Sequence, residues 1–123
     1  MPYKEQNKKG IGLKYAINGI LLGYKEKNFI IHNLVSICVI IFGIILNISL
    51  IEWCIIIICI GVVLTAELIN TTIENIVNEL SPQQSIFAKN TKDIAAGAVL
   101  IAAIAAAIIG SIIYIPKLYM IFL

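Results

Sequence analysis

Trp53-Cys-Ile-Ile-Ile-Ile-Cys-Ile-Gly-Val-Val-Leu-Thr-Ala-Glu67-Leu-Ile-Asn70-Thr-Thr-Ile-Glu74-Asn-Ile-Val-Asn78-Glu79-Leu80 starts as a membrane span and finishes as a polar-studded helix. From Trp53 to Ala66 no residue is charged. Beyond it, a pitch of about 100° per residue puts Asn70, Glu74 and Asn78 at about 300°, 340° and 20° from Glu67, with Thr71 near 40°. Carboxylates and amides therefore share one narrow stripe, while Leu68, Ile69, Ile73, Ile76 and Val77 cover the rest of the helix. An acidic group within a span costs a few kcal/mol, about 2.5–3.5 at the centre on the gentlest scales, so such groups face partners or a site. Two readings of the stripe stand side by side. It is a polar clasp between helices, or it is a site whose aligned oxygens suit Mg²⁺, a hard cation bound through one or two carboxylates plus substrate phosphates. Paired carboxylates are a costly choice for adhesion alone, which favours the site.

Two further runs match the roughly 20 apolar residues that a hydrocarbon core of about 30 Å requires. One extends over about 29–48 and the other over about 94–115, with the stretch 53–80 between them. Pro82 and the polar residues from Ser81 to Ser85 separate the second span from the third, and the segment 81–90 reads as a loop. With 60% of its 123 residues hydrophobic, the chain has far more apolar surface than a soluble domain of this size buries. The expected fold is an all-α integral membrane domain covering 1–123, with three transmembrane helices. Residues 11–27 add a helix of another kind. Leu13, Ile17, Ile20, Leu21 and Tyr24 make an apolar stripe opposite Lys14, Asn18 and Lys25, the pattern of an amphipathic helix lying in the membrane interface.

All nine cations are lysines, and their placement sets the expected orientation. Lys4, Lys8, Lys9, Lys14, Lys25 and Lys27 precede the first span, Lys89 and Lys92 follow the second, and Lys117 alone follows the third. Lysine-rich loops stay cytoplasmic, so the N-terminus is expected inside the cell membrane and the C-terminus outside, with Trp53 and Tyr114 at the outer interface. The N-terminal segment lacks the pattern of a cleavable signal. Cys38, Cys54 and Cys59 lie within apolar runs and lack a CxxC spacing, which reads as packing rather than metal or disulfide chemistry. Ala98, Ala102, Ala106 and Gly110 recur every four residues on the third span, a face suited to close helix packing. Nothing in the composition calls for a nucleic acid partner.

Glu67-Leu-Ile-Asn70-Thr-Thr-Ile-Glu74, a short polar segment, and Lys92-Asp93-Ile-Ala-Ala-Gly-Ala-Val-Leu-Ile101 together resemble the prokaryotic diacylglycerol kinase family. The likeness is strongest to its Gram-positive-type members, which act on undecaprenol. Glu26-Lys-Asn-Phe29 with His32, and Glu52-Trp53, extend it over nearly the whole chain. The resemblance implies an ATP-dependent lipid kinase, a homotrimer of three-span protomers whose sites are shared between neighbours. It implies that Glu67 acts as general base on the lipid hydroxyl and that Asn70 helps to orient it. Glu26 and Glu74 would hold Mg²⁺, Lys92 would contact the ATP phosphates, and Asp93 would lie in the nucleotide site. The expected substrate is a membrane lipid alcohol, undecaprenol ahead of diacylglycerol.

One departure is Ile30, where the family commonly carries arginine; an ammonium elsewhere does not reproduce a bidentate guanidinium. No GxxxxGK[ST] loop and no soluble-kinase HRD or DFG motif is present, so ATP enters through the resemblance alone. Two readings of other classes are a small proton-coupled exporter with an intramembrane acid and a non-catalytic assembly partner. Three spans, the amphipathic N-terminal helix and the polar groups gathered on one side count against the exporter.

Overall fold

The computed structural model describes residues 12–83 and 85–122. Lys4, Lys8 and Lys9, residue 11 and Gln84 lie outside them. The order is α1 (Leu13–Gly23), α2 (Lys27–Ile45), α3 (Leu50–Leu80) and α4 (Ile86–Phe122). The last three are long and apolar enough to cross a membrane. Side chains such as Ile41, Ile57, Leu100 and Ile112 are at least half exposed along them, as contact with lipid requires. The apolar stripe of α1 (Leu13, Ile17, Ile20 and Leu21) is likewise uncovered. The fold is an all-α, multi-pass membrane protein with a short N-terminal helix.

Several boundaries move from those expected. The N-terminal helix expected over 11–27 stops at Gly23, and a turn over 24–26 leads into α2. Two aromatic residues and an asparagine hold that turn. Tyr24 stacks edge-on against Phe29 with ring centroids 4.9 Å apart. Its hydroxyl donates to Asn33 Oδ1 at 3.1 Å. At the other end, α4 begins at Ile86 rather than near 94, so residues 86–90 are helix and not loop. Ser85 caps this start, its Oγ accepting from the Ala88 N–H at 3.0 Å.

The α2–α3 connection is tight because its local chemistry closes both helix ends. Asn47 takes φ 52°, the left-handed region that asparagine tolerates. The Ile48 N–H then reaches Gly43 O and the Asn47 N–H reaches Ile44 O, each at 3.2 Å, a Schellman arrangement. Ser49 and Glu52 follow as a capping box for α3. A core of Ile48, Ile56 and Ile113 forms beside this turn, with Trp53 and Tyr114 packed against it. Gly43 is needed there, since a Cβ would stand 2.8 Å from the Trp53 ring and 3.0 Å from Tyr114 Oη. Tyr114 Oη donates to Val39 O at 2.9 Å, and Lys117 Nζ meets Glu52 Oε1 at 3.3 Å, so this end of the bundle is tied across three helices.

α3 and α4 form an antiparallel hairpin and share the most extensive helix pairing. Buried and half-buried positions on α3 recur as Ile56, Ile60, Val63, Glu67, Asn70, Glu74 and Val77, with alternating steps of four and three. On α4 they recur as Ala88, Lys92, Ala95, Val99, Ala102, Ala106, Ile109 and Ile113. That alternation averages about 3.5 residues and keeps one seam facing the partner helix. A strict step of four drifts around the helix, so Ala98, expected on the packing face, is exposed.

Candidate active site

Helix lengths locate the polar stripe relative to the membrane. At about 1.5 Å per residue, α2 is about 28 Å long and just spans a core of about 30 Å. By the same rise α3 reaches about 46 Å and α4 about 55 Å, so the hairpin must project from one side. The α3 seam is apolar at Ile56, Ile60 and Val63, then becomes polar at Glu67, Asn70 and Glu74, one continuous line along the helix. Glu67 and Asn70 are 2% and 5% exposed, the buried polar side chains of the described structure.

Burial of an acid needs a partner, and Glu67 finds it on α2. His32 Nε2 stands 3.7 Å from Glu67 Oε2. One turn farther along α3, Asn70 Nδ2 donates to Glu74 Oε1 at 3.0 Å. A carboxylate only accepts, which fixes the amide orientation. It also leaves Asn70 Oδ1 buried with no hydrogen-bond partner. Glu26 caps α2 with its backbone only, and its side chain makes no capping hydrogen bond. It lines a groove of about 740 Å³ between α1 and α3, with Gly23, Thr71, Thr72 and Asn75.

Lys92 and Asp93 lie on the projecting part of the hairpin. They line a cleft of about 590 Å³ with Asn78, Ser81, Ser85 and Lys89. Lys92 is half-buried on the seam face of α4, while Asp93 is exposed and pairs with Lys89 at 2.6 Å. The structure thus gathers Glu67, Asn70 and Glu74 with His32, and sets Glu26 in the groove beside Thr71 and Asn75 of the same helix as Glu67. It sets Lys92 and Asp93 in a neighbouring cleft reached through Asn78. The approach of His32 to Glu67 was not readable from sequence, because the two belong to different helices. The row Phe29, His32, Ser36, Val39 and Gly43, at steps of three and four, places His32 inward on α2 and was the available hint.

An apolar cleft of about 390 Å³ lies among α2, α3 and α4, on the membrane side of this cluster. Its lining includes His32 at the Glu67 level and Tyr114 at the opposite end, with Ile60, Val63, Ala106 and Gly110 among the walls. A buried carboxylate, an amide bonded to a second carboxylate and a neighbouring lysine-lined cleft thus gather where the apolar helix gives way to polar residues, the arrangement of a polar site at the end of a membrane span.

A profile of prokaryotic diacylglycerol kinases matches residues 14–114, and the chain belongs to that family. It is 42% identical over 93 residues to the undecaprenol kinase of Bacillus subtilis (strain 168), covering 76% of each chain. It is 36% identical over 111 residues to a diacylglycerol kinase of Synechocystis sp., covering 88% of this chain and 63% of that one. No solved structure matches the chain significantly. The protein is a lipid kinase, which sets aside the exporter and assembly readings.

Proposed function

We propose that this chain transfers the γ-phosphate of ATP to undecaprenol at the cytoplasmic boundary of the cell membrane. The observation that carries the chemistry is Glu67, buried where the seam turns polar and facing His32. Likeness to the Bacillus undecaprenol kinase over three quarters of both chains supports the choice of lipid. The Synechocystis relative favours a second reading, diacylglycerol as acceptor.

In this reading Glu67 takes the proton of the lipid hydroxyl as its oxygen attacks the γ-phosphorus, the β–γ bridging P–O bond breaks, and ADP leaves. Such transfer needs positioning and charge neutralisation more than covalent help. Asn70 orients the acceptor and holds Glu74. Glu26 and Glu74 would hold Mg²⁺, which when bound would neutralise phosphate charge. The donor set fits that ion: it is all oxygen, and the orphaned Asn70 Oδ1 lies beside Glu74. Among the described residues no three His, Cys, Asp or Glu side chains converge as a closed metal site. Nucleotide phosphates would complete the shell of such an ion. Lys92 contacts those phosphates and Asp93 lines the nucleotide site.

The lysine distribution supports an inside N-terminus and an outside C-terminus, since Lys117 is paired with Glu52 at the far end. We take the assembly to be a homotrimer with sites shared between protomers, as the family resemblance implies. The substrate assignment is tested by competition. With undecaprenol and diacylglycerol at equal mole fraction in mixed micelles, phosphorylated undecaprenol should dominate. A dominant phosphatidic acid product would transfer the assignment to the second reading.

A further inference from the structure

The single histidine of the chain is placed too specifically to be packing alone. On the cytoplasmic half of α2, polar side chains turn back to their own helix. Asn33 donates to Phe29 O and Ser36 to His32 O, each at 2.7 Å. The His32 ring does not. Among the described residues its polar partner is Glu67, and this pair is the sole polar side-chain link between α2 and α3. The carboxylate is 3% exposed and the imidazole 24%, so the ring screens one side of a desolvated acid. The same ring lines the apolar cleft among the three spans. It therefore stands between that cleft and Glu67.

We propose that His32 is a positioning residue for Glu67, engaging Oε2 so that Oε1 is presented to the lipid hydroxyl. This rests on the reading of Glu67 as the base. A carboxylate with two equivalent oxygens and a free χ3 rotation samples many orientations, and its terminal torsion is broad. An Nε2–H directed at one oxygen selects among them. The separation of 3.7 Å lies beyond hydrogen-bond contact, and contacts of this kind tighten when substrate enters an active site. Reacting groups misplaced by about 1 Å lose about 100-fold in rate. The role predicts a loss confined to the chemical step, because His32 touches neither the nucleotide cleft nor its lysines.

The test compares His32→Ala, His32→Gln and Glu67→Gln in the full-length protein, assayed in micelles with undecaprenol and Mg·ATP. His32→Ala should lower kcat by about 100-fold, with KM for ATP and for lipid within about twofold of wild type. His32→Gln keeps an N–H at similar reach and should regain most of kcat. In the Glu67→Gln background, His32→Ala should cause no additional loss, since the two act as a unit. A wild-type kcat in His32→Ala overturns the proposal. So does an equal loss in His32→Ala and His32→Gln accompanied by a lowered unfolding temperature, which marks a structural role. An active Glu67→Gln removes the base assignment itself and with it the proposal, a failure visible without either histidine variant.

Discussion

Asn70 uses its amide nitrogen on Glu74 and leaves its buried carbonyl oxygen unpaired. An orphaned buried acceptor costs about 1–3 kcal/mol, a burden that a bound ion or donor would relieve. Asn70→Ala should therefore lower kcat/KM for Mg·ATP by about 10- to 100-fold, on the scale of a hydrogen bond to a charged group, while the helix persists by circular dichroism. Glu74→Gln should raise the Mg²⁺ concentration needed for half-maximal rate, and removal of Mg²⁺ with a chelator should abolish transfer in both variant and wild type. At this scale the sequence is a good guide wherever periodicity governs. Glu67, Asn70 and Glu74 share a seam because steps of three and four do so on any α-helix. The His32–Glu67 contact and the orphaned Oδ1 depend on how separate helices meet, which no spacing within one segment encodes.

The α2–α3 turn shows how local chemistry builds an element junction. Gly43→Ala would drive a Cβ to 2.8 Å from the Trp53 ring and 3.0 Å from Tyr114 Oη. Overpacking of this kind costs about 1–3 kcal/mol, and the unfolding midpoint in detergent should fall accordingly. Asn47→Gly should be tolerated at its φ of 52°, whereas Asn47→Val should destabilise by about 1–2 kcal/mol. The three spans were legible from apolar run length, and a short N-terminal helix from its stripe. The early start of α4 was not, because in Ser85-Ile-Phe-Ala-Lys-Asn-Thr only three apolar residues precede a polar stretch and Pro82 signals a break. Its helix is set by the Ser85 cap and by Ala88 packing in the seam. The four-residue small-residue repeat holds at Ala102 and Ala106 but misplaces Ala98 for a related reason: a pairwise seam follows about 3.5 residues rather than four.

Among the described residues the buried polar side chains gather at one end of the bundle, beside the projecting hairpin, while the Lys117–Glu52 pair closes the other. Within one chain Lys92 and Asp93 line a cleft separate from the Glu67 cluster. If sites are shared between protomers as proposed, mixing Glu67→Gln with Asp93→Asn chains before reconstitution should restore part of the activity that each lacks alone. Strictly additive inactivity would assign every site to a single chain. The most direct measurement is transfer of labelled γ-phosphate from ATP to undecaprenol by the purified protein in mixed micelles, with Glu67→Gln as the paired control. Labelled undecaprenyl phosphate from the wild type, reduced by about 100- to 10,000-fold in the folded variant, is the expected result for a general base. Equal labelling by both proteins would contradict Glu67 as the base, and no labelling by a folded, Mg²⁺-supplied wild type would contradict undecaprenol as the acceptor.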